Sequence, residues 1–152
     1  MDMFKCYKEV KTHGYITIAT YYRLKLPTLL PGIRRVIYFD CDFVINSSLR
    51  NLFYVNMENY AVAGVLDIDK KKVRKNPTYV NAGMLVFDID NMKKQNLEEK
   101  FLSWTKEHID TIKCGDQDII NEVLKGKIKI LPDYWNIQSS NFTNRSNYTK
   151  SP

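Results

Sequence analysis

Three uninterrupted apolar runs, Val36-Ile37-Tyr38-Phe39, Tyr60-Ala61-Val62-Ala63-Gly64-Val65-Leu66 and Met84-Leu85-Val86-Phe87, constrain the fold of this chain more than any other feature. The first reads as a strand, and the second and third as strands buried on both faces of a sheet. Between and around them the pattern turns helical. Ile16, Ala19, Leu24 and Leu26, with Tyr21 and Tyr22 between, suit a helix closed by Pro27, and Thr28-Leu29-Leu30-Pro31-Gly32 is turn chemistry. Polar N-cap candidates at Asn46-Ser47-Ser48 precede Leu49, Leu52 and Phe53 and predict a short helix. Leu97, Phe101, Leu102, Trp104 and Ile109 predict one helix from Asp90 to His108. Asp116 to Leu124 predicts another, with acids in its first turn where the helix dipole favours them. Ile128-Lys129-Ile130-Leu131 reads as a short alternating strand. Strands interleaved with helices make an α/β domain with a mainly parallel or mixed sheet.

A chain of 152 residues with 26% charged and 44% apolar residues fits a single domain over 1–152. It holds no run of about 18 apolar residues, and its first residues lack the layout of a secretory signal, which places the chain in the cytoplasm. Cys6, Cys41 and Cys114 are odd in number and lack metal-ligand spacing, so they read as reduced thiols. The net charge of +6 favours an anionic partner such as a nucleotide diphosphate or an acidic membrane surface. The densest basic run, Lys70-Lys71-Lys72-Val73-Arg74-Lys75, reads as a solvated loop; it has no interleaved aromatics, and a nucleic-acid partner is not expected. Residues 139–152 are rich in Asn, Ser and Thr and read as a loop or frayed tail, whose three glycosylation-type triplets are compositional. His13 and His108 read as structural or exposed.

The first run carries the chemistry. It ends in Asp40-Cys41-Asp42, and side chains at i and i+2 of an extended chain point the same way. Two carboxylates at a strand end suit a hard divalent cation, Mg²⁺ or Mn²⁺, which would in turn hold a substrate's phosphates. The second run also ends in an acid, Asp67.

Four blocks in this order resemble glycosyltransferase family 8, the retaining enzymes that include lipopolysaccharide galactosyl- and glucosyltransferases and glycogenin-like proteins. They are Thr20-Tyr21-Tyr22-Arg23-Leu24, the Asp40-Cys41-Asp42 segment with Asn46-Ser47-Ser48-Leu49, Tyr79-Val80-Asn81-Ala82-Gly83-Met84-Leu85, and Gly115-Asp116-Gln117-Asp118-Ile119-Ile120-Asn121. The resemblance implies a nucleotide-diphospho-sugar transferase fold (GT-A, Rossmann-like), a sheet flanked by helices. It implies Mn²⁺, with Mg²⁺ as the other candidate, on Asp40 and Asp42, bridging to the diphosphate of UDP-glucose or UDP-galactose. Arg23, Asp67, Asn81, Ala82, Gly83, Asp116 and Gln117 would bind the donor sugar. Gln117 would stand beside the anomeric carbon, with Asp118 as the second catalytic candidate. The acceptor would be a glycan or lipid-linked glycan such as lipopolysaccharide, with peripheral contact at the inner membrane surface.

Two family segments are not found in the sequence: the N-terminal strand-helix-strand unit that holds the nucleoside, and the C-terminal His-x-x-Gly-x-x-Lys-Pro-Trp segment with a third metal ligand. The resemblance therefore implies a central fragment, and an inactive or partner-complemented transferase half is an alternative function, the partner chain supplying the rest. A haloacid-dehalogenase-type phosphatase, with Asp40 as nucleophile and Asp42 as acid, is the other alternative. It would require Gly-Thr where this chain has Phe43-Val44.

Overall fold

The computed structural model describes residues 18–138. Strands β1 (Arg35–Phe39), β2 (Val62–Leu66), β3 (Val80–Asp88) and β4 (Lys129–Ile130) form one sheet in the order β1-β3-β2-β4. β3 runs antiparallel to both β1 and β2, and β4 pairs parallel to β2. The sheet is therefore mixed, and the mainly parallel arrangement is excluded by the insertion of β3, reversed, between two strands that run the same way. That reversal has a functional consequence: β1 and β2 end where β3 begins, so Asp40, Asp67 and Asn81 arrive at the same end of the sheet.

β3 departs from a regular ladder at this end. Between the pairs Gly64↔Leu85 and Leu66↔Val80, β2 advances two residues while β3 advances five. Three extra residues in the Asn81-Ala82-Gly83 stretch thus leave the ladder with β2 as an enlarged bulge, and the inward face of β3 switches parity across it. Val80 and Ala82 pack into one cluster with Leu85 and Phe87, while Met84 and Val86 pack into the other. Gly64 faces the distortion: a Cβ there would lie 2.9 Å from Leu85 Cδ2 and 3.1 Å from Val80 Cβ. The Asn81-Ala82-Gly83 stretch is therefore part strand and part bulge.

The helices are α1 (Leu26–Leu29), α2 (Arg50–Phe53), α3 (Lys70–Lys75), α4 (Ile89–Lys94), α5 (Leu97–Glu107) and α6 (Asp116–Val123), with 3₁₀ segments at Ile18–Lys25 and Asp133–Trp135. Pro27 does not close the first segment. It lies in the first turn of α1, where the missing N–H is needed by no helical bond, and the helix stops at Leu30. The single helix expected over Asp90–His108 is two, because Asn96 adopts a left-handed φ of 52° between α4 and α5. The basic run is a helix and not a loop: Asp69 caps it by accepting from Lys71 N–H at 2.9 Å. His108 stacks on Trp104 at 4.4 Å, a packing role.

Two apolar clusters sandwich the sheet. The larger joins Tyr21, Leu24, Phe87, Phe101, Ile119 and Ile120, and so fixes the first 3₁₀ segment and α6 against one face. The smaller joins Leu52, Met57, Ala63, Met84 and Val86 on the other. Among the described residues no helix is long and apolar enough to cross a membrane. The proposed tail 139–152, together with Cys6 and His13, lies outside the described residues.

Candidate functional site

Five segments meet at the end of the sheet where β1 and β2 finish. Arg23, delivered by the 3₁₀ segment and only 7% exposed, is the hub. It donates to Ala82 O at 2.7 Å and to Asp40 Oδ1 at 3.3 Å, and its guanidinium lies 3.7 Å from the centroid of the Tyr38 ring. A buried arginine fits here because its planar fork can serve a carbonyl, two carboxylates and an aromatic face together.

Asp116, the first residue of α6 and 2% exposed, forms an ion pair with Arg23, Nε to Oδ2 at 2.9 Å. The Nε–H is directed at Thr20 O, 3.3 Å away, so Asp116 Oδ2 gains the charge contact without a hydrogen bond. It is left as a buried acceptor with no hydrogen-bond partner among the described residues. Burial pushes the Asp116 carboxyl up to about 7; Arg23 opposes the shift, and Asp40 reinforces it. A buried, unsatisfied oxygen of this kind calls for a hydroxyl or other polar donor beyond the described residues.

Gln117 is held at both ends. Its Oε1 accepts from Ala82 N–H at 2.9 Å, and its Nε2 donates to Asp67 Oδ2 at 2.8 Å with Tyr79 Oη at 3.4 Å. Asp67 Oδ1 accepts from Asp69 N–H at 2.7 Å. The neighbouring Asp118 has a different task. Its Oδ1 accepts from Tyr79 O–H at 2.6 Å and its Oδ2 from the Lys113 and Cys114 N–H groups at 2.8 and 2.7 Å, so one oxygen ties α6 to the start of β3 and the other staples the loop that leads into α6. Burial and the Asp118 bond together raise the Tyr79 pKa beyond any working pH, and the phenol stays a hydrogen-bond donor.

The bulge residues complete the floor. Asn81 Oδ1 accepts from Gly83 N–H at 2.9 Å and from Asn136 Nδ2 at 3.0 Å. Asp40 Oδ1 is committed to Tyr38 O–H at 2.8 Å and to Arg23, whereas no donor among the described residues reaches Oδ2. Gly83 keeps the space beside that oxygen open, since a Cβ there would lie 3.4 Å from Asp40 Oδ2 and 2.9 Å from Asn81 Oδ1. Asp42 is exposed in the turn after β1. Among the described residues no group of three or more His, Cys, Asp or Glu could hold a metal ion, so a cation here would have Asp40 and Asp42 as its expected protein ligands and no third from these residues. Two carboxylates with one free oxygen and an open cradle suit a hard cation that takes its remaining ligands from phosphate and water. A cavity of about 580 Å³ lies beside Asp42, lined by Phe39, Phe43, Val44 and Trp135.

Every site residue expected from the sequence except Asp42 is tied into this network by a side-chain or backbone contact. Sequence reasoning missed Tyr38, Lys72, Asn121 and Asn136. Tyr38 is two residues before Asp40 on the same strand face, a signal the period-2 rule contains. Asn121 lies one helical turn after Gln117; fully buried, it accepts from Val80 N–H at 2.7 Å and donates to Val80 O and Gln117 O at 2.9 and 2.8 Å, tying α6 to β3. Lys72 and Asn136 carry no local signal.

The sequence profile of glycosyl transferase family 8 matches residues 2–152. The chain is 36% identical over 135 residues to a Haemophilus influenzae protein that carries a glycosyltransferase name, covering 83% of this chain and 41% of that one. It is 30% identical over 128 residues to the lipopolysaccharide 1,2-glucosyltransferase of Escherichia coli K12, covering 78% of this chain and 38% of the relative. Its fold is similar to that of the galactosyltransferase LgtC, solved with donor and acceptor sugar analogues, with a TM-score of 0.83 at 21% identity, covering 100% of this chain and 58% of LgtC. The chain thus spans less than two thirds of the length of each of these three proteins. Its mixed sheet with flanking helices is the GT-A arrangement, and by profile and by sequence identity the chain belongs to glycosyltransferase family 8.

Proposed function

We propose that this site carries out retaining transfer of a hexosyl group from UDP-glucose or UDP-galactose to a glycan acceptor of the lipopolysaccharide type. The observation that carries the reading is Asp116 Oδ2, buried and with no hydrogen-bond donor among the described residues, beside a glutamine whose amide is fixed at both ends. A sugar hydroxyl supplies the missing donor. Mn²⁺, or Mg²⁺, held by Asp40 Oδ2 and Asp42, would neutralise charge on the departing diphosphate. Arg23, Asn81, Ala82 and Gly83 would form the floor of the donor-sugar site.

Gln117 fits an electrostatic role at the anomeric carbon better than a nucleophilic one, because an amide oxygen is a poor nucleophile and one of its lone pairs is already engaged by Ala82 N–H. Asp118 is a better nucleophile by residue type, but three donors occupy its oxygens. Both facts favour attack by the acceptor hydroxyl from the face the diphosphate leaves, with the hydroxyl proton passing to the leaving phosphate oxygen. The phosphatase alternative finds no support: the profile that matches the chain is that of a glycosyltransferase family, and Phe43-Val44 stand where the phosphatase requires Gly-Thr.

Isothermal titration of UDP-glucose and UDP-galactose into the chain, with Mn²⁺ and then with EDTA, tests the reading. Metal-dependent binding that disappears in Asp42→Ala is expected. A folded chain that binds neither nucleotide sugar with Mn²⁺ would refute the proposal for this chain.

A further inference from the structure

Lys72 behaves unlike the rest of its basic run. Lys70, Lys71, Arg74 and Lys75 are exposed, while the Lys72 side chain retains 27% exposure and turns inward. Its Nζ lies 3.2 Å from Cys114 Sγ, 3.8 Å from Asp67 Oδ2 and 5.1 Å from the centroid of the Tyr79 ring. Burial works against its charge, yet the contacts with Cys114 and Asp67 prevail, and its pKa is raised. The ammonium stays charged throughout the neutral range.

Each of the three groups around the ammonium bears on Gln117. Asp67 Oδ2 and Tyr79 Oη face Gln117 Nε2, and Cys114 stands in the loop that delivers α6. The Gln117 amide has two possible orientations. In the observed one, Oε1 faces Ala82 N–H and Nε2 faces the Asp67 carboxylate. The flipped one would set donor against donor at Ala82 and oxygen against carboxylate at Asp67. The preference therefore depends on an acceptor oxygen of Asp67 held in line with Gln117 Nε2, and the Lys72 ammonium lies 3.8 Å from that same oxygen.

We propose that Lys72 is a positioning residue: acting through Asp67, it fixes the orientation of the Gln117 amide. The geometric part stands by itself, and its catalytic consequence rests on the transferase role proposed above. The cation is drawn from a run whose other members are solvated, so composition conceals it.

The test is ¹⁵N NMR of the Gln117 side-chain amide, identified by its loss in Gln117→Glu, in the wild type, Lys72→Met, Lys72→Arg and Lys71→Met. Lys72→Met is expected to shift the Gln117 Nε2 resonances and raise their solvent exchange several-fold, with Lys72→Arg restoring both and Lys71→Met changing neither. Where sugar-donor turnover is measured, Lys72→Met should lower kcat roughly tenfold, the scale of an outer-shell substitution, with donor KM within about twofold. Gln117 resonances and exchange unchanged in Lys72→Met, or changed as much in Lys71→Met, would overturn the proposal. Lys72→Gln serves the same purpose should Lys72→Met not fold. An NMR change without transfer from any UDP-sugar would uphold the positioning role and reject the transferase reading.

Discussion

Gln117→Glu should make the stability of this protein depend on pH in a way the wild type does not. In the wild type, Gln117 Nε2 donates to Asp67 Oδ2 at 2.8 Å, a hydrogen bond to a charged group worth about 1.5–3 kcal/mol. The substitution sets a second carboxyl oxygen at that distance. If both groups stayed ionised, repulsion would reach about 6 kcal/mol at an effective dielectric near 20. Taking up one proton instead costs about 5 kcal/mol at pH 8 and about 1 kcal/mol at pH 5, from an ordinary glutamate pKa near 4.3. Protonation is the cheaper route at both pH values, and the protonated oxygen replaces the lost donor. The introduced carboxyl thus has a folded pKa above its unfolded one, so its contribution is intact below about pH 4 and is lost as pH rises through the raised value. Lys72, 3.8 Å from Asp67 Oδ2, and side-chain rotation relieve part of the conflict. The net expectation is an extra ~2–4 kcal/mol of destabilisation at pH 8 relative to pH 5. Urea unfolding of both proteins at the two pH values measures it. A destabilisation equal at pH 5 and pH 8, or none at pH 8, would refute the argument that Asp67 and Gln117 are locked donor to acceptor.

Three further outcomes follow from the same geometry. The Asp116 carboxyl, raised to about 7 by burial, should titrate near neutrality in a ¹³C carboxyl NMR titration; because its folded pKa exceeds the unfolded one, stability should fall as pH rises from about 4 through about 7, and Asp116→Asn should flatten that slope. Gly83→Ala places a Cβ 2.9 Å from Asn81 Oδ1 and 3.4 Å from Asp40 Oδ2, so calorimetric Mn²⁺ binding should weaken markedly while the circular dichroism spectrum is kept; unchanged metal affinity would show that the cradle is not where the cation sits. Tyr38→Phe removes the hydroxyl that orients Asp40 Oδ1 and should lower Mn²⁺ affinity roughly tenfold in the same measurement, an effect a merely apolar packing role for the ring would not produce.

What the sequence made legible was the local content of each block, and what it hid was how the blocks join. The run 36–39 before Asp40 and the acid-led helix from Asp116 are dictated by short-range pattern, and both are found where expected. The reversal of β3 is a long-range property: a continuous apolar run buried on both faces looks the same whether its neighbours are parallel or antiparallel. The break at Asn96 escaped for another reason, since the apolar spacing of α4 and α5 is nearly continuous and only the backbone at one residue departs from it. Lys72 was hidden by its own composition. Five basic residues in six suggest solvent, and only the cap at Asp69 fixes which of them turns toward Asp67.

The bulge in β3 explains why this site and this fold are difficult to separate by mutation. Three residues that leave a ladder expose backbone groups that must be satisfied elsewhere. Ala82 N–H is taken by Gln117, Ala82 O by Arg23, Gly83 N–H by Asn81 and Gly83 O by Asp40 N–H, while the Asn121 side chain grips Val80 at the bulge's near edge. The groups proposed to bind the sugar are thus the ones that hold the bulge closed, and lost activity after Arg23→Ala or Gln117→Ala says little about chemistry unless stability is measured beside it. Asp42 is different. It is exposed and bound by no side chain among the described residues, so Asp42→Ala should leave the unfolding midpoint within about 0.5 kcal/mol of wild type, the usual range for surface substitutions. If it also abolishes metal-dependent binding of the sugar nucleotide, that loss belongs to the ligand alone. A large stability loss in Asp42→Ala would instead make the turn after β1 part of the scaffold and remove the one clean separation the structure offers.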